Sequence, residues 1–287
     1  MSADTDLSTA RSTTASPVAT SSGGMLGLLQ DSWALTLRNF IHIRRNPERL
    51  LDATVQPIMF TVLFVYVFGG AIPVEGGYRD FLMPGIFVQT LAFSCFGTAL
   101  GLAADRKSGF IDRLLALPTS RAALLVGRVT TDMLITCLTL TILICTGLVV
   151  GWRPHETPAS VALAIGLMLL FSFSMTWLGV LLGCVVTEPE AVMGVGFIVL
   201  FPLTFIANTF VPTEGMPAIV QTMAEYNPIS WVTAAARERL GNSNPSLETS
   251  DAWPLQHPVI ATLLVCAALS AIFAPLALAR YRRITRG

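Results

Sequence analysis

Charge is what this sequence has least of. Only 13% of its 287 residues are Asp, Glu, Lys or Arg, where a soluble domain of this length carries about one quarter. That deficit excludes a soluble core and points to an integral membrane protein. Lysine is almost missing: Lys107 stands alone, and arginine supplies every other basic side chain. Acidic and basic residues balance, so no basic excess points to nucleic acid. The five cysteines (Cys95, Cys137, Cys145, Cys184 and Cys266) fall in apolar stretches with no C-x-x-C spacing, and the three histidines are scattered. These read as small packing residues rather than metal ligands.

Fuel chemistry is missing too. Lys107-Ser108 is the only Lys-Ser pair, and Arg106 stands where a phosphate-binding loop needs glycine. Neither G-x-S-x-G nor H-E-x-x-H occurs. The chain therefore reads as no enzyme, with no cofactor of its own. The middles of its apolar runs hold no Asp, Glu, Lys, Arg or His, the groups that ion-coupled transporters place at membrane depth. Energy for any uphill transport would come from another protein. A secondary transporter or a non-transporting membrane scaffold stands as the alternative.

What the chain does have is long apolar runs. Six charge-free stretches predict spans at about 53–74, 81–104, 130–152, 160–186, 191–212 and 257–279, each near the length a helix needs to cross a bilayer. Backbone groups in lipid must bond internally, so these spans are helices. Strands of a barrel would show shorter, alternating runs. The fold class expected is all-α integral membrane, six-span over 25–287.

Arginine and lysine set the orientation. With the N-terminus inside, fourteen basic residues face the cytosol and four (Arg79, Arg153, Arg237 and Arg239) face out. Both termini are then cytosolic. Residues 1–24, rich in Ser, Thr and Ala and without an apolar signal core, read as a disordered cytosolic tail. Between Met25 and Pro47, Leu28, Leu29, Trp33, Leu37, Phe40 and Ile41 recur at helical spacing with Arg38, Arg44 and Arg45 among them. That pattern suits an amphipathic helix lying in the inner interface.

Two polar segments interrupt the spans. DRKSGFIDRLLALPTSRAALLVGR, from Asp105 to Arg128, lies on the cytosolic side. A helix over Gly109–Leu117 puts Phe110, Leu114 and Leu117 on one face, with Asp112 and Arg113 pointing away. Pro118 stops it, Thr119 or Ser120 caps the next helix, and that helix enters the third span. The short helix suits docking into a groove of a soluble partner, or else it is a solvated turn whose arginines fix topology. The second segment lies outside. Met216–Tyr226 and Ile229–Leu240 read as two short helices around the Asn227-Pro228 turn, a hairpin at or dipping into the outer leaflet.

At this point the chain resembles a known family, the permease subunits of type-2 ABC exporters, in their daunorubicin/doxorubicin-resistance branch. The residues that carry the likeness are DRKSGFIDRLLALPTSRAALLVGR, NPISWVTAAARERL, TEPEAVMGVGFIVLFPLTFIANTFVPTEGMP and RRNPERLLDATVQPIMFTVLFVYVFGG. Many members carry a glutamate where Asp105 or Lys107 stands here. The resemblance implies a dimer, with itself or a sister permease, in a bacterial plasma membrane. It implies two separate ATPase subunits below, which hold ATP and magnesium. Phe110, Ile111, Asp112, Arg113, Leu114 and Leu117 would form the coupling helix on the ATPase. Arg38 and Arg45 of the interface helix, with Glu188 and Glu190 of the turn before the fifth span, would add a second cytosolic contact. Phe197, Phe201, Phe205 and Asn208 are candidates for a lipophilic pathway; four residues at helical spacing also suit plain packing.

Overall fold

The computed structural model describes residues 47–69, 72, 74, 76–110, 121–213, 216–242, 244 and 250–284. Every regular element among them is helical. Helix α1 (Pro47–Leu63) runs on into a π-helical turn, Phe64–Phe68. Then follow α2 (Tyr78–Lys107), α3 (Arg121–Val150), α4 (Pro158–Val185) and α5 (Pro189–Ile206). The short helices α6 (Ala218–Glu225), α7 (Pro228–Leu240) and α8 (Trp253–Gln256) precede the last, α9 (Pro258–Ile284). Among the described residues five helices, α2 to α5 and α9, are long and apolar enough to cross a membrane. The apolar stretch Val55–Phe68, which runs from α1 through the π-helical turn, is shorter. The expected interface helix and most of the expected coupling helix lie outside the described residues.

Helix ends follow local chemistry. The side chain of Thr157 accepts a hydrogen bond from the Ser160 amide, and Pro158 takes the first position of α4, where its missing N–H costs nothing. Asn227 caps α7 in the same way, and Gly241, left-handed at φ 68°, ends it. The hairpin helices match the expected pair within a few residues. The fifth span does not run to residue 212: α5 stops at Ile206 and Ala207 turns extended.

Helices α2 and α4 form the centre. The apolar window of α2 is 61% buried, against 17% for α9. Gly179 and Gly183 of α4 face α2, and a Cβ on either would overlap the backbone carbonyl of Cys95 or Ala99. Small residues one turn apart let two membrane helices close in where lipid offers no hydrophobic drive between them. Hydroxyls bridge neighbouring helices of the bundle: Ser94 to Ser172 at 3.1 Å, and Ser270 to Ser174 at 3.0 Å. Helix α7 is packed among α2, α4 and α9, so the hairpin's second helix is an internal element.

Candidate functional site

Three features stand out along the bundle, one at each end and one on the surface between. The first lies where α2, α3, α4 and α5 meet. Arg128 of α3 places Nη1 2.6 Å from the Asp105 carboxylate of α2, and Nε 3.4 Å from Asp132 one turn on. Its Nη2 donates to the Thr98 carbonyl. The guanidinium lies against Gly101, where any Cβ would collide with it. Arg106 donates to the carbonyls of Gly183 and Cys184, at 3.1 and 3.0 Å, in the last turn of α4, a favourable place for a cation on the helix dipole. Lys107 reaches Glu188 at 2.6 Å, immediately before Pro189 opens α5. The end of α2 is thus tied to three other helices. Residues 109–110 continue directly from it, with the Phe110 side chain 37% exposed.

Of the residues expected on the coupling face, only Phe110 is described; Ile111, Asp112, Arg113, Leu114 and Leu117 are not. Arg38 and Arg45 likewise lie outside the described residues. Glu188, on the turn before α5, and Glu190, in its first turn, are both exposed, and Glu188 joins the Asp105–Lys107 end of α2.

The second feature is an aromatic strip on α5. Phe197, Phe201 and Phe205 are 39%, 42% and 38% exposed. Their rings follow one another at 6.1 and 4.2 Å between centroids. The strip extends to Phe93 and Phe96 of α2 at one end. At the other it passes through Phe210 to Phe64 in the π-helical turn, at 5.0 and 4.7 Å. Asn208 does not share that surface. It is wholly buried, because the helix has already ended and the chain has turned inward.

The third feature holds that inward turn, and the sequence alone did not reveal it. Arg237, counted above among outward-facing charges, is 0% exposed. Its Nε donates to the Phe81 carbonyl at 2.9 Å, and its Nη2 to the carbonyls of Asn208 and Thr209 at 2.8 and 3.2 Å. The guanidinium carbon lies 3.6 Å from the centre of the Phe81 ring, a cation–π contact that gains strength when desolvated. Burial draws its pKa down to about 9, which leaves it a cation at neutral pH. A signal was available. Ser230, Ala234 and Arg237 recur at helical spacing within an alanine-rich helix, a small-residue face with one charge on it.

Comparison with known proteins agrees with this architecture. Residues 30–240 match the ABC-2 type transporter family. The chain is 34% identical over 246 residues to the daunorubicin resistance ABC transporter permease protein DrrB1 of Streptomyces coeruleorubidus, covering 85% of this chain and 83% of that one. It is 26% identical to the putative transport permease ycf38 of Porphyra purpurea, over 76% of each chain. It is 25% identical to the probable doxorubicin resistance ABC transporter permease protein DrrC of Mycobacterium tuberculosis, over 67% of this chain and 70% of that one. Helical membrane architecture and these similarities together show that the chain belongs to the ABC-2 type transporter family.

Proposed function

We propose that this chain is the permease subunit of an ATP-driven exporter that moves a lipophilic compound, of drug or lipid class, out of the cytosol or inner leaflet. It works as a dimer with a second permease copy or a sister chain, in a bacterial plasma membrane. The full complement is six spans, α1 with its π-helical turn being the first, and both termini are cytosolic. A separate ATPase binds below and carries the nucleotide and magnesium.

The observation that carries this reading is the ionic joint at the end of α2. A push reaching the end of α2 would pass through Asp105, Arg106 and Lys107 to α3, α4 and α5 together. Such ties suit a coupling element, which must move several helices together. Two of the relatives are named as permeases of daunorubicin or doxorubicin resistance, which supports a lipophilic cargo. The exposed strip of Phe197, Phe201 and Phe205 supplies an apolar surface for it or for the second copy.

The test replaces Phe110 and Leu114 together with Asp and asks whether the ATPase still co-purifies. Loss of the ATPase with normal membrane insertion is expected. Normal co-purification and export would refute the docking assignment. ATP-independent transport by the isolated chain in liposomes would refute the ATP-driven reading itself.

A further inference from the structure

Among the described residues, side chains of α7 and α2 hold the segment after α5. Asn227 Nδ2 donates to the Leu203 carbonyl at 2.6 Å, and Ser230 Oγ accepts from the Asn208 amide at 3.1 Å. Arg237 grips the carbonyls of Asn208 and Thr209. From α2, Tyr78 donates to the Phe210 carbonyl at 3.0 Å. Gly85 lets the Thr209 carbonyl lie against α2, in space that any Cβ would fill. Polar side chains of the Asn227–Arg237 stretch thus converge on the last turn of α5 and the residues after it. That segment is bounded by Phe205, a ring of the exposed strip, and the buried ring of Phe210, their centroids 5.0 Å apart.

We infer that Arg237 is a positioning residue, the latch by which α7 holds the end of α5 closed. Its release frees the Phe205–Phe210 end of the aromatic strip. Three features make it a latch rather than ordinary packing. The cation is dry, yet it is matched by carbonyl dipoles and an aromatic face rather than by a carboxylate, so water can replace each partner without stranding an opposite charge. Its Nη1 and the Thr209 hydroxyl have no hydrogen-bond partner among the described residues, so hydration of the opened state would satisfy groups that the closed state leaves unmatched. The partner segment has an interrupted backbone: α5 has ended, and the grip on 208–210 comes from α7 and α2. A fork of planar donors suits this task where a lysine would not, since one guanidinium spans carbonyls of two elements and stacks on Phe81.

This inference rests on the exporter reading, under which the latch lies at the outer end and opens when ATP closes the ATPases. The experiment uses the permease with its ATPase in proteoliposomes, Ser230→Cys as reporter, and a membrane-impermeant maleimide. Labelling should be low without nucleotide and rise at least tenfold when the complex is trapped with ATP and vanadate. Adding Arg237→Gln should raise nucleotide-free labelling to near the trapped level, while Arg237→Lys falls between. Equal labelling with and without nucleotide, or no effect of Arg237→Gln, overturns the latch. A second pair, Asn208→Cys with Ser230→Cys, is oxidised with copper–phenanthroline. The disulfide should cut export at least tenfold, dithiothreitol should restore it, and the ATPase should stay bound. Full export with the disulfide formed also overturns the latch. Wild-type complex that exports nothing on ATP fails the exporter reading instead, and the two failures stay distinct.

Discussion

The two ends of this bundle are fastened by arginines in opposite ways. At the Asp105–Asp132 end, Arg128 pairs with two carboxylates, and all three side chains keep contact with solvent, at 19% for Arg128, 38% for Asp105 and 16% for Asp132. At the Arg237 end a wholly buried cation has no carboxylate partner among the described residues and lies among carbonyls and a ring. Ion pairs open to solvent are weak, adjustable and screened by salt. A dry cation held by directed donors is strong in place and costly to half-break. The first kind of fastening lets helices shift while staying joined, and the second resists until it releases. An element that takes up force from a moving partner needs the first property. A gate that must not leak needs the second.

The largest effect expected from breaking this contrast is at Arg237. Replacing it with Met removes the fork and strips partners from buried carbonyls. The loss should be about 3 kcal/mol, from the cost of unsatisfied buried groups. In detergent the thermal midpoint should fall by roughly 6 °C or more, and raising salt should leave the difference unchanged. A midpoint equal to wild type would show that the burial is incidental. Arg237→Lys keeps the charge but cannot bridge the same carbonyls or stack as well, so its midpoint belongs between the two.

Arg128→Ala comes next. Its pairs are partly solvated, so about 1 kcal/mol is expected, and the effect should shrink as ionic strength rises. Combining it with Asp105→Asn should cost less than the sum of the two single changes, because they share one contact. Strict additivity would mean that the 2.6 Å pair carries no energy of its own.

Much of this was legible in the sequence, for physical reasons that also explain the rest. Charge-free runs marked α2 to α5 and α9 because the bilayer imposes length and apolarity on each helix separately. The helix from Arg121 into the third span, and the hairpin around Asn227-Pro228, followed from capping and proline rules that act within a few residues. Charge counting could not show the burial of Arg237, because it treats every arginine as solvated. Burial was decided by residues 156 positions away at Phe81 and 29 away at Asn208, which no local rule connects. The same long reach took Asn208 off the exposed aromatic strip of α5. Its spacing from Phe205 suited a continuing helix, but Ala207 turns extended and the chain is drawn inward to α7. The ties of Asp105, Arg106 and Lys107 were likewise invisible. The sequence shows their charges but not that Glu188 or the carbonyls of Gly183 and Cys184 lie opposite.

The smallest effect on stability, and the sharpest separation of stability from coupling, belongs to Lys107 and Glu188. Both side chains are more than half exposed, so reversing one charge should leave the thermal midpoint where it is. If the pair serves only as surface decoration, Lys107→Glu should leave ATP-driven export untouched as well. If it is the joint that carries motion from the end of α2 to the start of α5, export should fall while the ATPase remains bound. The carboxylate introduced at position 107 would then face Glu188 and Glu190 with like charge. Adding Glu188→Lys restores an opposite pair in reversed order, and with it export. A loss that the second change does not repair would place the defect in the lysine itself, and the joint would have to be sought in Arg106 and its two carbonyls instead.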